Sequence, residues 1–460
     1  MSIDFQRNDY SEALPVWDTI RNITDGANLK QYLRSLRDTG NHEDQLRQRD
    51  YEAHAVFYNV AGYTLQGMVG TAFRKDPVFA PPTALEHLLD NADGMGNGIM
   101  SLAKRVMRDN IRFGRVGLWV DFPESEGEIS RADMASHFAT INPIMPEQII
   151  NWATERKGAE NRLKLIVFKF AEEVMDGFEV HDETMIRELS IEDGVYVTRK
   201  WRKLKIDGKL QWVVIDERFP TDGRGNQLTE IPFVFAGAEN NDHVIDMPPM
   251  HDIVRVNIGH YRNSADYEDS VFYAGQSQPW MSGVGQEHVD LMRNNNVFIG
   301  SRTLMPVPSG ESFGFATPEP NPSVRQAMMD KVELMIGLGA RFIQPAGQAK
   351  TATQAASDRD AQESKLSSIA ENTAAAMTKA VGHAAMFMDA EPVDFIMETD
   401  FSDIGADAQM VTAWVKSYLD GAVPESDYIG WMQRQGFFDG EKEIEEVSQE
   451  LGTVAQVSDL

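Results

Sequence analysis

Between residues 353 and 388 one face of the chain repeats with a regularity that a single long helix satisfies. Leu366, Ile369, Thr373, Ala376, Ala380, Ala384 and Phe387 recur at intervals of three and four residues, the spacing that stacks side chains along one side of an α-helix. A helix over the whole stretch would run about 50 Å at ~1.5 Å per residue, several times the length usual in a globular domain. Small residues dominate the seam, and a seam of alanines lets helices approach closely.

The rest of the chain alternates helical and β-rich regions. Residues 1–112 read as helical. Within them, 51–71 (YEAHAVFYNVAGYTLQGMVGT) places Ala55, Tyr58, Val60, Tyr63 and Leu65 among small residues. A second helix is expected over 96–113, where Ile99, Leu102, Val106 and Ile111 recur and Gly114 supplies the stop. RVGLWVDFP (115–123) is a short apolar run with β-branched and aromatic residues, hence a buried strand. Residues 160–236 carry the β-rich part. RLKLIVFKF reads as a strand, and Asp207-Gly208 lies between two strand-like runs as a hairpin turn. IPFVFAG follows from Ile231, with Pro232 placing it at an edge or a strand start.

Pro248-Pro249 punctuates the chain, and helix returns over 250–274. Ile253, Asn257, His260, Tyr261, Ser264, Glu268 and Val271 share one side of it. That side is mixed, as in a helix packed between neighbours. Residues 276–322 read as a small α/β insertion, with a short helix around 286–293 and strand-like NVFIGSR, LMPVP and SFGFAT broken by prolines. Helix resumes at Val324, with Met328, Val332, Met335 and Ile336 apolar, and QPAGQAKTAT (344–353) is a loop. Short helices, VTAWVKSYL and ESDYIGWMQRQG, and an acidic tail fill the C-terminal part. The fold class expected is α+β, mainly helical.

The chain carries few residue patterns that point to chemistry. The chain has 460 residues, 42% of them hydrophobic, enough for a sizeable core. No apolar run is long enough for a membrane span, and the N-terminus lacks a basic and then apolar signal pattern. There are no cysteines, so disulfides and thiolate metal sites are excluded, and folding in a reducing cytoplasm fits. The formal net charge of −28 repels nucleic acid and excludes a general DNA binder working by counterion release. No P-loop, no H-E-x-x-H and no G-x-S-x-G is present. Gly94, Gly96 and Gly98 read as a loop before a helix. His251 and His260 read as polar helix positions, too far apart to form one ligand pair. Asp121, Glu124, Glu126 and Glu128 read as a solvated loop without a tuned carboxylate. The basic run Arg199, Lys200, Arg202, Lys203 and Lys205 reads as a solvated hairpin more readily than a nucleic-acid patch. No catalytic residue, metal or cofactor is expected.

The order of parts then becomes informative. An α/β region leads into a long helix, a small insertion, a second helix, a glycine-containing loop and a very long alanine-rich helix. The order resembles the portal proteins of tailed bacteriophages. Stretches that carry the resemblance to a portal-like family are SEALPVWDTIRN, RQRDYEAHAVFYNVAGYTLQGMVGTAFRKDP, FGRVGLWVDFP, PEQIINW, PPMHDIVRVNIGHYRNSADYEDSVFYAGQSQPWMSGV, IGSRTLMPVPSGESFGFATPEP and LGARFIQPAGQAKTATQAASDRDAQESKLSSIAENTAAAM. They span 11–388, and their joint order is the specific feature.

The resemblance implies a division into wing (1–247, with the β-rich part at 115–236), first stem helix (248–275), clip (276–322), second stem helix (323–343), tunnel loop (344–353), long wing/crown helix (354–390) and crown with acidic tail (391–460). It implies a stem carrying His251, Arg255, Asn257, His260, Arg262, Lys331 and Glu333. It implies a clip that docks motor and adaptor through Glu287, Arg293, Arg302 and Glu311. It implies a DNA-facing tunnel loop of Gln344, Gly347, Gln348, Lys350, Thr351 and Thr353. The implied assembly is a ring of about twelve copies joined head to tail, at one vertex of the capsid of a virion assembled in the host cytoplasm. It would serve genome packaging, DNA retention and ejection, and head–tail joining. The implied partners are further copies of itself, double-stranded DNA in passage, the large terminase subunit, a head–tail adaptor, the major capsid protein and a scaffold protein. The alternatives are another virion structural protein, such as an internal scaffold or head–tail adaptor, and a DNA-processing enzyme.

Overall fold

The computed structural model of the chain describes residues 2–36, 41–123, 137–275, 278–283, 285–287, 290, 310, 312–316, 319, 321–339, 352–399, 424–434 and 444. Among the described residues five α-helices precede the first strand: α1 (Asn8–Asp25), α2 (His42–His54), α3 (Val60–Ala72), the short α4 (His87–Asp90) and α5 (Ile99–Phe113). The helix expected over 51–71 is therefore two helices. Its interruption has a long-range cause. Val56 N–H donates to Ser264 Oγ at 3.1 Å, and Ser264 Oγ donates back to Val56 C=O at 2.6 Å, so this peptide spends its polar groups outside any helix. Asn59 then caps α3, its side chain accepting from Gly62 N at 2.8 Å. Val60 and Leu65 are buried, whereas Tyr58 and Tyr63 are exposed.

The Gly94–Gly98 stretch is the expected loop before a helix. Asp93 organises it, accepting from the backbone N–H of Met95 and Asn97 at 2.9 and 3.2 Å. Helix α5 buries Ile99, Leu102, Val106 and Ile111, and Gly114 ends it in the left-handed region at φ 74°.

Two antiparallel sheets follow. The first has the order β2 (Thr140–Ile144), β1 (Arg115–Asp121), β8 (Phe233–Gly237). The second runs β3 (Ile149–Lys157), β4 (Glu160–Asp176), β5 (Glu179–Glu192), β6 (Val195–Ile206), β7 (Lys209–Arg218) as a meander. Asp207 and Gly208, at φ 49° and 78°, form the tight turn between β6 and β7. Strand β8 is an edge strand directly after Pro232, as that proline requires. The basic run on β6 faces carboxylates: Arg199 pairs with Glu188, Glu192 and Glu217, Lys200 with Glu172, and Arg202 with Glu183. A solvated, ion-paired hairpin describes it.

Two charges depart from expectation. Asp121 belongs to β1 and not to a solvated loop; burial pushes its carboxyl above the usual range, with Arg187 opposing the shift. Glu124, Glu126 and Glu128 lie outside the described residues. Arg115, in a strand read as apolar, is buried with its guanidinium 4.2 Å from the Trp152 ring and 3.9 Å from that of Phe235. Desolvation pushes its pKa down to about 9.

The remaining elements are α6 (His251–Gly275), β9 (Gln278–Ser282), β10 (Ser312–Ala316), α7 (Pro322–Gly337), α8 (Ala352–Phe387) and α9 (Glu425–Arg434). Helix α8 is one rod of 36 residues. Each of the seven seam residues, from Leu366 to Phe387, is buried. All but Thr373 share one apolar core with α1, α3, α5, the inner face of both sheets and the first turns of α6. Phe387 stacks on Phe122 with ring centroids 5.7 Å apart. Among the described residues no helix is long and apolar enough to cross a membrane.

Candidate functional site

The feature that stands out from the core is a helical hairpin. Helix α6 has 25 residues, and its buried side holds Ile253, Val254, Asn257, Ile258, His260, Tyr261, Ser264 and Ala265. A helix with this much polarity inside is fixed by specific hydrogen bonds as well as by apolar burial. Asn257 is fully buried; its Oδ1 accepts from Ala61 N–H at 2.9 Å and its Nδ2 donates to Tyr58 C=O at 2.9 Å. It therefore pins the start of α3, and Ser264 pins the extended segment before it.

Helix α7 runs back along α6. Lys331 lies beside Gly259, where an added Cβ would come within 3.0 Å of the lysine Cε. With its amide oriented to suit its neighbours, Asn263 donates to Gly259 C=O and accepts from Lys331 Nζ at 3.1 Å. Further on, Met335 buries against Val60 beside Val256, and an added Cβ at Gly339 would meet Ile253 at 3.5 Å. As α7 advances its partners on α6 recede, so the two helices are antiparallel. In chain order the β9–β10 pair lies between the end of α6 and the start of α7; in it Trp280 is opposite Gly314 and Phe315 opposite Pro279. The hairpin thus has a buried base and a small β tip.

Opposite charges clasp the second half of α6. Arg47 binds Asp269, Arg34 reaches Asp266 at 3.5 Å, and Tyr51 Oη donates to Asp266 Oδ1 at 2.7 Å. Burial and that carboxylate push the Tyr51 phenol well above its ordinary range. Phe272 and Tyr273 at the end of α6, Trp280 and Phe315 in the tip, Met329 and Leu334 on α7, and Leu338 just after it remain exposed. Exposed apolar side chains on one projecting unit are the mark of a contact surface.

The expected stem residues fall on this hairpin with different surroundings. His251 bonds Asp252 at 3.1 Å in the first turn of α6. Arg255 and Glu333 are exposed. Arg262 donates to Tyr32 C=O at 2.7 Å. His260 is buried beside Lys331, and burial, with the lysine adding to it, pushes its imidazole below the ordinary value. Asn257 thus ties the hairpin to the start of α3, and Lys331 bonds across it to Asn263. Glu287 is exposed in a short helical piece. Arg293, Arg302 and Glu311 lie outside the described residues, as do the NVFIGSR, LMPVP and VTAWVKSYL stretches. Gln344, Gly347, Gln348, Lys350 and Thr351 also lie outside them. Thr353 belongs to α8, which begins at Ala352, so the expected loop ends two residues early. Asp266, Asp269 and Tyr51, which form the clasp, were not singled out from sequence; only the cationic partners Arg47 on α2 and Arg34 before it reveal them. Among the described residues no group of three or more histidine or carboxylate side chains is placed to hold a metal ion.

A family profile described as a domain of unknown function (DUF4055) matches residues 249–388, the stretch from α6 through α8. No curated protein matches the chain. Two solved chains are similar over most of their length. One comes from the virion of a native gene transfer agent particle, at 12% identity over 80% of this chain and 88% of that one, with a TM-score of 0.37. The other comes from the neck of an empty gene transfer agent particle computed with C6 symmetry, at 12% identity over 82% and 90%, with a TM-score of 0.38.

Proposed function

We propose that the chain is a non-enzymatic structural subunit of a phage-type virion, a portal protein that forms a ring around a DNA passage. The α6–α7 hairpin carries this reading. Its base is locked into the core by Asn257 and Ser264, and its outer faces and β tip leave aromatic and aliphatic side chains to solvent. Copies standing side by side would cover them. In this reading α6 and α7 are the stem, β9 and β10 belong to the clip facing motor and adaptor, and residues 344–351 approach the DNA. The net charge of −28, repeated around a ring, keeps a duplex from adhering if part of it lines the passage.

Function is tested by deleting residues 347–350. The ring should still assemble, and packaging or retention of DNA should fail. Loss of assembly in that variant would contradict the loop's role. Nucleotide hydrolysis by the purified protein would favour the DNA-processing enzyme instead. Absence of the protein from mature particles would favour an internal scaffold.

A further inference from the structure

The long sheet leaves two of its margins open. Strand β4 pairs with β3 only as far as Phe168 but with β5 as far as Asp176, so residues 169–176 have a strand on one side alone. Strand β7 closes the other margin, paired with β6 alone. Among the described residues no backbone hydrogen bond from outside the ladders reaches either stretch. The pairing of β5 with β6 stops at Ile186 and Trp201, so the end of β4 and the start of β5 project as a two-stranded ribbon. Met175 and Phe178 at its tip are 72% and 105% exposed. Such a ribbon is marginal alone, and an open edge is a template for another strand.

Charge is divided between the two margins. Residues 169–183 carry Glu172, Glu173, Asp176, Glu179, Asp182 and Glu183 against Lys169; residues 199–211 carry Arg199, Lys200, Arg202, Lys203, Lys205 and Lys209 against Asp207. Within one chain the Lys200–Glu172 and Arg202–Glu183 pairs join them. Among the described residues, Lys205 and Lys209 have no carboxylate partner. A second copy brings the complementary margin.

We propose that the open edge of β4 in one copy pairs antiparallel with β7 of the next copy. The two-residue turns at Gly177-Phe178 and Asp207-Gly208 make Asp176/Glu179 and Ile206/Lys209 the hydrogen-bonded pairs that close their hairpins. Residues 171, 173 and 175 on β4 and 210, 212 and 214 on β7 therefore turn their N–H and C=O groups outward. Matching these sets puts Leu210 opposite Met175, both exposed. It puts Lys209 opposite Asp176, and Glu173 opposite Trp212, over whose ring Lys203 already lies at 5.5 Å. Pairing like margins would instead set two acidic or two basic ribbons together, which is unfavourable. The contact is head to tail, so it closes into a ring or grows into a filament. It shares with the proposed function only the premise that copies stand side by side.

Cysteine pairing tests this directly, because the chain contains no cysteine. Within one chain Met175 and Leu210 stand on separate ribbons with β5 and β6 between them, and the ribbons part beyond Ile186 and Trp201, so they are beyond disulfide reach. Under mild oxidation, a mixture of Met175→Cys and Leu210→Cys proteins should give a covalent dimer, and the double variant a ladder of multimers. Lys209→Glu should cut the cross-linking yield several-fold, and Asp176→Lys in the other partner should restore it, an outcome that misfolding cannot mimic. Cross-links confined to single variants, or none in either mixture, overturn the pairing whether or not rings form. A ladder from filaments that never close keeps the pairing and overturns the ring.

Discussion

Helices α8 and α6 are both long, and they are held in opposite ways. The buried seam of α8 is aliphatic, aromatic or small, with Thr373 and His383 among its few buried polar residues. That of α6 contains Asn257, His260 and Ser264, two of which bond backbone atoms of the segment that separates α2 from α3. A seam of the first kind fixes a rod by volume and tolerates sliding of similar shapes. One of the second kind fixes it by address, since a displaced helix would leave buried donors and acceptors unpaired. The difference teaches that α8 serves as the spine of the core. Helix α6 is anchored at its base, where a lever or strut would need to be held.

Removing the largest side chain of the α8 seam should have the largest effect. Phe387→Ala deletes a buried ring stacked on Phe122 and should cost about 3–5 kcal/mol, read as a lowered urea midpoint at unchanged slope. Asn257→Ala should cost about 1–3 kcal/mol by orphaning Ala61 N–H and Tyr58 C=O. Asn257→Leu, of similar volume, should not recover it. If leucine does recover it, α6 is held by volume like α8, and the contrast fails.

Each helix also buries one histidine whose pKa is lowered, chiefly by burial: His383 in α8, with Glu230 opposing the shift, and His260 in α6, with Lys331 adding to it. The unfolded chain takes up protons on these groups before the folded one does. Their contribution is thus present above the unfolded value near 6.5 and is lost as pH falls through the folded value. His260→Gln should flatten the fall of stability below that pH by no more than about 1.4 kcal/mol per pH unit, measured by denaturant titration across pH 5–8. The smallest effect belongs to exposed Arg255: Arg255→Ala should change stability by less than about 0.5 kcal/mol.

The same contrast explains what was legible in the sequence. A volume-filled seam advertises itself through periodicity, and every α8 seam position was readable; so were the Asp207-Gly208 turn and the Gly114 stop, which depend on local backbone alone. The break at Ala55–Asn59 was not, because its cause is Ser264, far along the chain. Arg115 hid in an apolar run because its partners are ring faces of Trp152 and Phe235, and ring faces leave no pattern. The mixed face of α6 could be seen, but the partners of Asn257 are Tyr58 and Ala61 and the neighbour of His260 is Lys331, which only the fold brings together. Strands β2 and β3 escaped notice because each takes its place from pairing with a neighbour.

The central claim is that the α6–α7 hairpins of successive copies stand around an opening. Imaging the purified, assembled protein by electron microscopy down its symmetry axis tests it most directly. A closed ring with the hairpins lining a passage wide enough for duplex DNA is the predicted view. Isolated single chains under every assembly condition, or particles whose hairpins are folded into a solid interior, would contradict it.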